Sequence, residues 1–237
     1  MLFYYIRHGE PIYDPDMLTD HGRLEAEALG EKLSRTGLDR IYTSTSNRAM
    51  QTAEPAARFL GITPERLDFA NEHYTWLDFT LPNKDGIGAH WVFQDDEATA
   101  LFASRSIRDL GDRWYEHPAF EGCRFKEGLD RVYRETDSLM ASLGYEHERY
   151  TGRYVETREN NERVALFAHQ GFGFVFLSCL LDIPYPIMCT RFDMCHSGVT
   201  VIDFRKNREG FCIPCVLTLS SDSHLYAKGI TGNYGAI

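Results

Sequence analysis

The sequence predicts an α/β protein built on a mostly parallel sheet, and three observations predict it. The apolar run Leu2-Phe3-Tyr4-Tyr5-Ile6, rich in aromatic and β-branched types, reads as a short buried strand and stops at Arg7-His8-Gly9-Glu10. A second apolar run, Val164-Ala165-Leu166-Phe167-Ala168, reads as a parallel strand covered on both faces and stops at His169-Gln170-Gly171. Between them, the first part of the chain alternates strand and helix patterns. Ligands of open α/β sheets bind just beyond the carboxyl ends of the strands. Two such ends would bring His8 and His169 to one edge of the sheet. A histidine there can be a nucleophile, a base or a metal ligand. The arginine beside His8 favours an anion over a metal.

Bulk properties narrow the partners. A chain of 237 residues suits one large domain or two small ones, and its composition is that of an ordinary soluble protein. The net charge of -10 argues against nucleic acid and anionic membrane, so an anionic substrate must be held by local positive charge. No apolar stretch is long enough to span a bilayer, and the opening run is too short for a signal peptide. The expected location is the cytoplasm, with the six cysteines reduced.

Taken in order, Pro11 to Leu18 reads as a loop. Thr19 is a good N-cap for a helix to about Ser34, with Leu24, Ala28 and Leu33 on one face. Arg40-Ile41-Tyr42-Thr43 is a short strand, and Ser44-Thr45-Ser46-Asn47 a cluster of cap formers. The next helix carries Ala49, Ala53, Ala56, Ala57 and Leu60 on one face, and Leu67-Asp68-Phe69 is a candidate third strand. Arg48 in that helix's first turn is electrostatically misplaced, because the N-terminus is already positive. An anion between the arginine and the backbone N–H groups would remove the mismatch.

From Tyr74 to Lys126 the alternation is lost and aromatic residues dominate, which reads as an insertion folded over the core, partly helical around Asp96 to Leu110. Glu127 to Leu143 is a helix, Glu146 to Glu162 a polar loop or hairpin, and Phe172 to Leu181 an apolar helix. Val199–Phe204 and Cys212–Leu219 read as further strands, and Ser220 to Ile237 as irregular.

In this order and spacing the motifs resemble the histidine phosphatase superfamily, also called phosphoglycerate mutase-like. The pieces are Arg7-His8-Gly9-Glu10, Leu18-Thr19-Asp20-His21-Gly22, Ile41-Tyr42-Thr43-Ser44 with Arg48, Gln51-Thr52-Ala53-Glu54, and Ala168-His169 before Gly171. The resemblance implies a single three-layer α/β/α sandwich over residues 1–237, with the aromatic-rich insertion at about 74–126 as a cap. It implies His8 as the nucleophile that forms a phosphohistidine. It implies Arg7, Arg48 and His169 as holders of the phosphoryl oxygens, with Gly9 and Gln170 as further substrate contacts and His169 also catalytic. The family's proton donor is usually a Glu after the second helix, and Glu72 in Asn71-Glu72-His73-Tyr74 matches that segment. Where the family's first motif often continues with Thr and later Asn, this chain has Pro11 and Asp14, and Asp14 is not expected to bind phosphate.

The chemistry expected is phosphoryl transfer with no metal and no cofactor, since arginine and histidine supply the charge. Two arginines beside His8 should lower its pKa and keep it neutral, and a protonated His169 would add a third positive donor. The substrate expected is a small phosphorylated metabolite, and a homodimer is left open. A phosphoglycerate-type mutase and a non-catalytic phospholigand-binding module are the alternatives, the mutase disfavoured because its own loop sequences are not found. Cys212-Ile213-Pro214-Cys215 lies in a strand pattern that sends its sulfurs to opposite faces, so neither redox nor metal chemistry is expected there. Tyr74 and Trp76, close in sequence to Glu72, are expected to contact the leaving group. Among the other histidines, His73 and His196 are those expected nearest the pocket, and His147 is expected at the surface or behind the site.

Overall fold

The computed structural model describes residues 1–232. The chain runs through β1 (Leu2–Arg7), β2 (Pro11–Ile12), β3 (Met17–Leu18), α1 (Asp20–Thr36), β4 (Arg40–Ser44), α2 (Asn47–Leu60), β5 (Glu65–Leu67) and α3 (Glu72–Asp78). It continues through β6 (Thr80–Pro82), β7 (Ala89–Trp91), α4 (Asp96–Phe102), α5 (Arg105–Leu110), α6 (Phe125–Ser142), β8 (Tyr145–Glu148) and β9 (Arg153–Glu156). It closes with β10 (Arg163–Ala168), α7 (Gln170–Leu181), α8 (Tyr185–Arg191), β11 (Val199–Asp203), β12 (Phe211–Cys212), β13 (Cys215–Ser221) and α9 (Ser223–Lys228). Two compact units result: one of Met1–Glu72, Glu159–Gln170 and the chain from Met194, the other of His73–Arg158 and Gly171–Asp193. The second unit thus takes in the insertion expected at 74–126 together with α6, the β8–β9 hairpin, α8 and α7 from Gly171.

The first unit is α/β with a six-stranded, mostly parallel sheet of order β13-β11-β1-β10-β4-β5. β1, β10, β4 and β5 pair in parallel, while β11 pairs antiparallel with both β1 and β13, so it alone runs against the others. Arg7 is in register with Ala168, so β1 and β10 end side by side, and His8 and His169 each follow by one residue. This is the convergence expected from the two apolar runs. On one face, Leu29 and Leu33 of α1 and Ala53 and Ala56 of α2 pack on Tyr4, Ile6, Ile41, Ala165, Phe167 and Val199. A side chain at Gly30 would meet the Pro55 Cβ at 2.7 Å, so the glycine lets the helices cross closely.

Several local expectations are corrected. Pro11 to Leu18 is a small hairpin, not a loop, with Pro11 opposite Leu18. Thr19 does cap α1, accepting from Gly22 N–H, and Ala28 and Leu33 of the expected face are buried, together with Gly22, Glu25, Ala26, Leu29 and Gly30, while Leu24 is exposed. Strand β5 ends at Leu67, and Asp68–Ala70 is a 3₁₀ turn. The expected strand at 212–219 is broken by Pro214 into β12 and β13. The irregular tail expected from Ser220 instead contains the end of β13 and α9, and residues 233–237 lie outside the described residues.

The second unit owes its core to its rings. Trp114, Phe120, Phe125, Phe102, Phe79 and Tyr185 pack with centroids 4.8 to 6.2 Å apart. Trp76 stands edge-on to Trp91 at 4.9 Å, and Tyr74 lies under the Arg131 guanidinium. A side chain at Gly171 would meet the Trp91 ring at 2.5 Å, which explains the glycine two residues after His169.

Candidate active site

His8 is buried and held at both ends of its backbone, donating to Ala168 O and accepting from Ser197 N–H. Its Nδ1 lies 2.7 Å from the Gly9 carbonyl. A carbonyl only accepts, so Nδ1 carries the proton and Nε2 keeps its lone pair. Burial first, then His169, Arg48 and Arg7, push the His8 pKa well below the ordinary histidine value, so the ring is neutral at neutral pH. The backbone turn that presents the ring needs Gly9. A Cβ there would meet Gly22 O at 2.8 Å. Gly9 N–H is given to Thr52 Oγ1 at 3.0 Å, so Gly9 serves His8 rather than offering its donor to a substrate, which corrects the expectation for it.

Arg7 is buried at the end of β1. Its Nη1 donates to Met194 O at 2.5 Å, and its Nη2 lies 2.9 Å from His196 Nε2. A guanidinium only donates, so His196 accepts there and carries its proton on Nδ1. Burial, Arg7 and His21 lower the His196 pKa to about 3. Its ring is 5.8 Å from that of His8. His196 was one of the two histidines expected near the pocket; the other, His73, belongs to the second unit.

His169 is fully buried, with its ring centroid 5.2 Å from that of His8. Its Nε2 is 2.8 Å from Ser44 Oγ and 3.2 Å from Ser46 Oγ. Either hydroxyl can donate to or accept from the ring, so the two serines fix its orientation. Burial and the two arginines hold its pKa well below the usual range, so the ring is neutral and does not add the third positive charge expected. Gln170 is buried directly after it.

Arg48 was expected to meet an anion at the start of α2, and it meets two from its own chain. Nη1 binds Asp16 Oδ1 at 2.9 Å and Nη2 binds Glu72 Oε2 at 2.9 Å. Asp16 Oδ2 also accepts from Asn47 N–H at 2.8 Å. Ser46 is the N-cap residue but makes no capping bond, because its hydroxyl faces His169. Asp16 therefore caps α2 from a different element. It was missed in the sequence, where Asp14 drew attention; Asp14 is exposed.

Glu72, at the start of α3, is 3.6 Å from His169 Nδ1, beyond hydrogen-bonding distance. His8, Glu72 and His169 offer ligand atoms all within 4.8 Å of one another, a spacing that could hold a metal. The Arg48 guanidinium on Glu72 makes the surroundings positive, which favours an anion. Arg48 Nε and His169 Nδ1 are buried with no hydrogen-bond partner among the described residues. A buried guanidinium donor in that condition fits an anionic acceptor.

Parts of the chain are similar to known proteins. The model described as "Histidine phosphatase superfamily (branch 1)" matches residues 3–86. That region, which supplies His8, Arg7, Arg48 and Glu72, is similar to the histidine phosphatase superfamily. Over 128 residues the chain is 30% identical to a 2,3-bisphosphoglycerate-dependent phosphoglycerate mutase of Bartonella tribocorum, covering 46% of this chain and 62% of that protein. Over 127 residues it is 29% identical to the mitochondrial serine/threonine-protein phosphatase Pgam5 of Drosophila sechellia, covering 48% and 40%. The match thus spans less than two thirds of either curated relative. Among solved structures, "Mycobacterial hydrolase 1" aligns with a TM-score of 0.61 at 19% identity, covering 93% of this chain and 98% of that one. A phosphoserine phosphatase of Entamoeba histolytica aligns at 0.58 and 17%, covering 94% and 98%. At such identities the likeness is one of fold alone, and it extends along nearly the whole chain.

Proposed function

We propose that this protein is a metal-independent phosphomonoesterase that works through a phosphohistidine at His8 on a small phosphorylated metabolite. The observation that carries the reading is the His8 ring: neutral, with Nδ1 tied to the Gly9 carbonyl, and near enough to His169, Arg48 and Arg7 for their charge to lower its pKa. Attack by a histidine on phosphorus requires that protonation state and that surrounding charge. In the first step Nε2 bonds to phosphorus, the bond to the leaving oxygen breaks, and Glu72 gives that oxygen its proton. Arg7, Arg48 Nε and His169 Nδ1–H take the equatorial oxygens, and Gln170 lines the same edge. In the second step water attacks phosphorus, Glu72 takes its proton, and the phosphorus–nitrogen bond breaks to release phosphate. A cytoplasmic location fits six cysteines that are all free thiols. No helix among the described residues is long and apolar enough to cross a membrane.

The test is phosphate release from an aryl phosphate, with an acid quench to trap label on His8. His8→Ala should abolish both, and a chelator should change neither. Full turnover by the alanine variant, or loss of wild-type turnover with chelator, defeats the mechanism. The second reading is a phosphoglycerate mutase, favoured by the match to the Bartonella tribocorum protein. Transfer to a second hydroxyl without net phosphate release would select it.

A further inference from the structure

The Asp16 carboxylate occupies the anion position at the start of α2. It holds the Asn47 N–H at 2.8 Å and Arg48 Nη1 at 2.9 Å, the two groups that would otherwise receive a second negative group of a substrate. The other basic groups around the site are committed as well. Arg48 Nη2 is on Glu72, Arg7 is on Met194 O and His196, and the His21 ring is 3.5 Å from Glu25. Asp16 is about two-thirds buried, at 30% exposure, and Arg48 shows 12%, so solvent screens their charges only in part. From the same hairpin the Tyr13 ring covers Arg48 at 5.3 Å and is itself 66% exposed, an apolar wall beside the guanidinium.

We propose that Asp16 is a specificity-determining residue: it fills the second anion position beside the phosphoryl pocket, so that the enzyme accepts phosphomonoesters of uncharged or cationic alcohols and rejects those whose leaving group carries a carboxylate or second phosphate near the ester. This rests on the phosphomonoesterase reading and names its substrate class. The physical reason is repulsion. A carboxylate one or two carbons from the ester oxygen comes within a few ångströms of Asp16, and a like-charge pair at that range in a half-screened site costs roughly tenfold or more in affinity. It also disfavours a bisphosphorylated ligand, as a mutase would require.

The experiment compares glycerol 3-phosphate with 3-phosphoglycerate, which differ by a hydroxymethyl group against a carboxylate. Wild type should prefer glycerol 3-phosphate in kcat/KM by at least tenfold. Asp16→Asn keeps an acceptor for the Asn47 N–H but loses the charge, and it should shrink that preference at least fivefold. Calorimetric titration with inorganic phosphate, which needs no turnover, should show tighter binding by Asp16→Asn. Asp16→Ser, an uncharged capping residue, should behave alike and covers the case in which the Asn variant fails to fold. An unchanged preference, or weaker phosphate binding in both variants, overturns the proposal and leaves Asp16 as a strut for Arg48. If wild type hydrolyses neither ester but binds phosphate, the phosphomonoesterase reading fails while the titration still decides the role of Asp16. If wild type binds no phosphate, both fall.

Discussion

His8 and His169 are the same residue type at equivalent strand ends, yet their environments differ. His8 has Nδ1 tied to a carbonyl and so offers a lone pair, whereas His169 has Nε2 flanked by two serine hydroxyls and Nδ1 3.6 Å from Glu72. Neither environment can be read from the tetrapeptides, since each depends on a partner brought from elsewhere in the fold or from a backbone turn. Glu72 was found through the family resemblance, and the structure puts it on Arg48 within reach of both rings. If it is the proton donor, Glu72→Gln should slow alkyl phosphate esters by 100-fold or more, because an alkoxide leaves poorly without a proton. An activated aryl ester should lose about tenfold or less. Comparing kcat/KM for the two ester types checks this, and equal losses would remove Glu72 from that role. Asp16 had no motif to announce it; an aspartate in a hairpin becomes a functional candidate only through what it touches, whereas His196 was among the histidines expected nearest the pocket.

At the scale of elements, the strands and helices that position the site were mostly legible, because burial on both faces leaves continuous apolar runs and a one-sided helix leaves a 3.6-residue period. The misreadings occur where a tertiary partner overrides the local pattern. Helix α1 was assigned a face of Leu24, Ala28 and Leu33; the last two are buried, but Leu24 is exposed, and at the close crossing with α2 near Gly30 it is Ala26 and Leu29 that also turn inward. That crossing yields a prediction. Glycine to alanine inside a helix usually gains about 1 kcal/mol. At Gly30 the added methyl would meet Pro55 Cβ at 2.7 Å and Ala56 N at 3.0 Å, so Gly30→Ala should lose roughly 1–3 kcal/mol. Urea unfolding of the two proteins is the measurement, and a stabilised variant would show that the helices can separate freely. The cap of α2 carries the same lesson, since three cap-forming residues, Ser44, Thr45 and Ser46, precede it and the bond is made by Asp16.

For the molecule as a whole, the most consequential feature outside the site is a buried charged cluster in the second unit. The His147 side chain is fully buried, with Nδ1 2.8 Å from Asp137 and Nε2 3.1 Å from Asp182, and its ring stacks on Tyr154 at 4.2 Å. Tyr133 and Gly152 N–H also bind Asp182. Burial works against the charge, but the two aspartates outweigh it and raise the His147 pKa to about 9. The cluster joins the β8–β9 hairpin, α6 and the end of α7, where the sequence suggested only a polar surface segment. A raised folded-state pKa means that protonation favours the native state. The contribution is complete below the unfolded value near 6.5 and is lost as pH rises through about 9. Wild type should therefore lose on the order of 3 kcal/mol of unfolding free energy between pH 6.5 and 9.5 that His147→Gln does not lose. Denaturant unfolding across that range tests it, and parallel pH curves for the two proteins would contradict it.

Taken alone, the chain specified its α/β class, the two strand ends that converge, and the residues Arg7, His8, Arg48 and His169 gathered there. These follow from local chemistry: apolar runs that must be buried, glycines where the backbone must turn, and motif spacing along contiguous segments. Protonation states, the capping of α2 by Asp16, the committed donors of Arg7 and the charged pair of aspartates around His147 were decided by tertiary structure. Each joins groups from separate elements, such as Asp16 with Arg48 and His147 with Asp182, and hydrogen bonding and charge pairing depend on distance in space rather than along the chain.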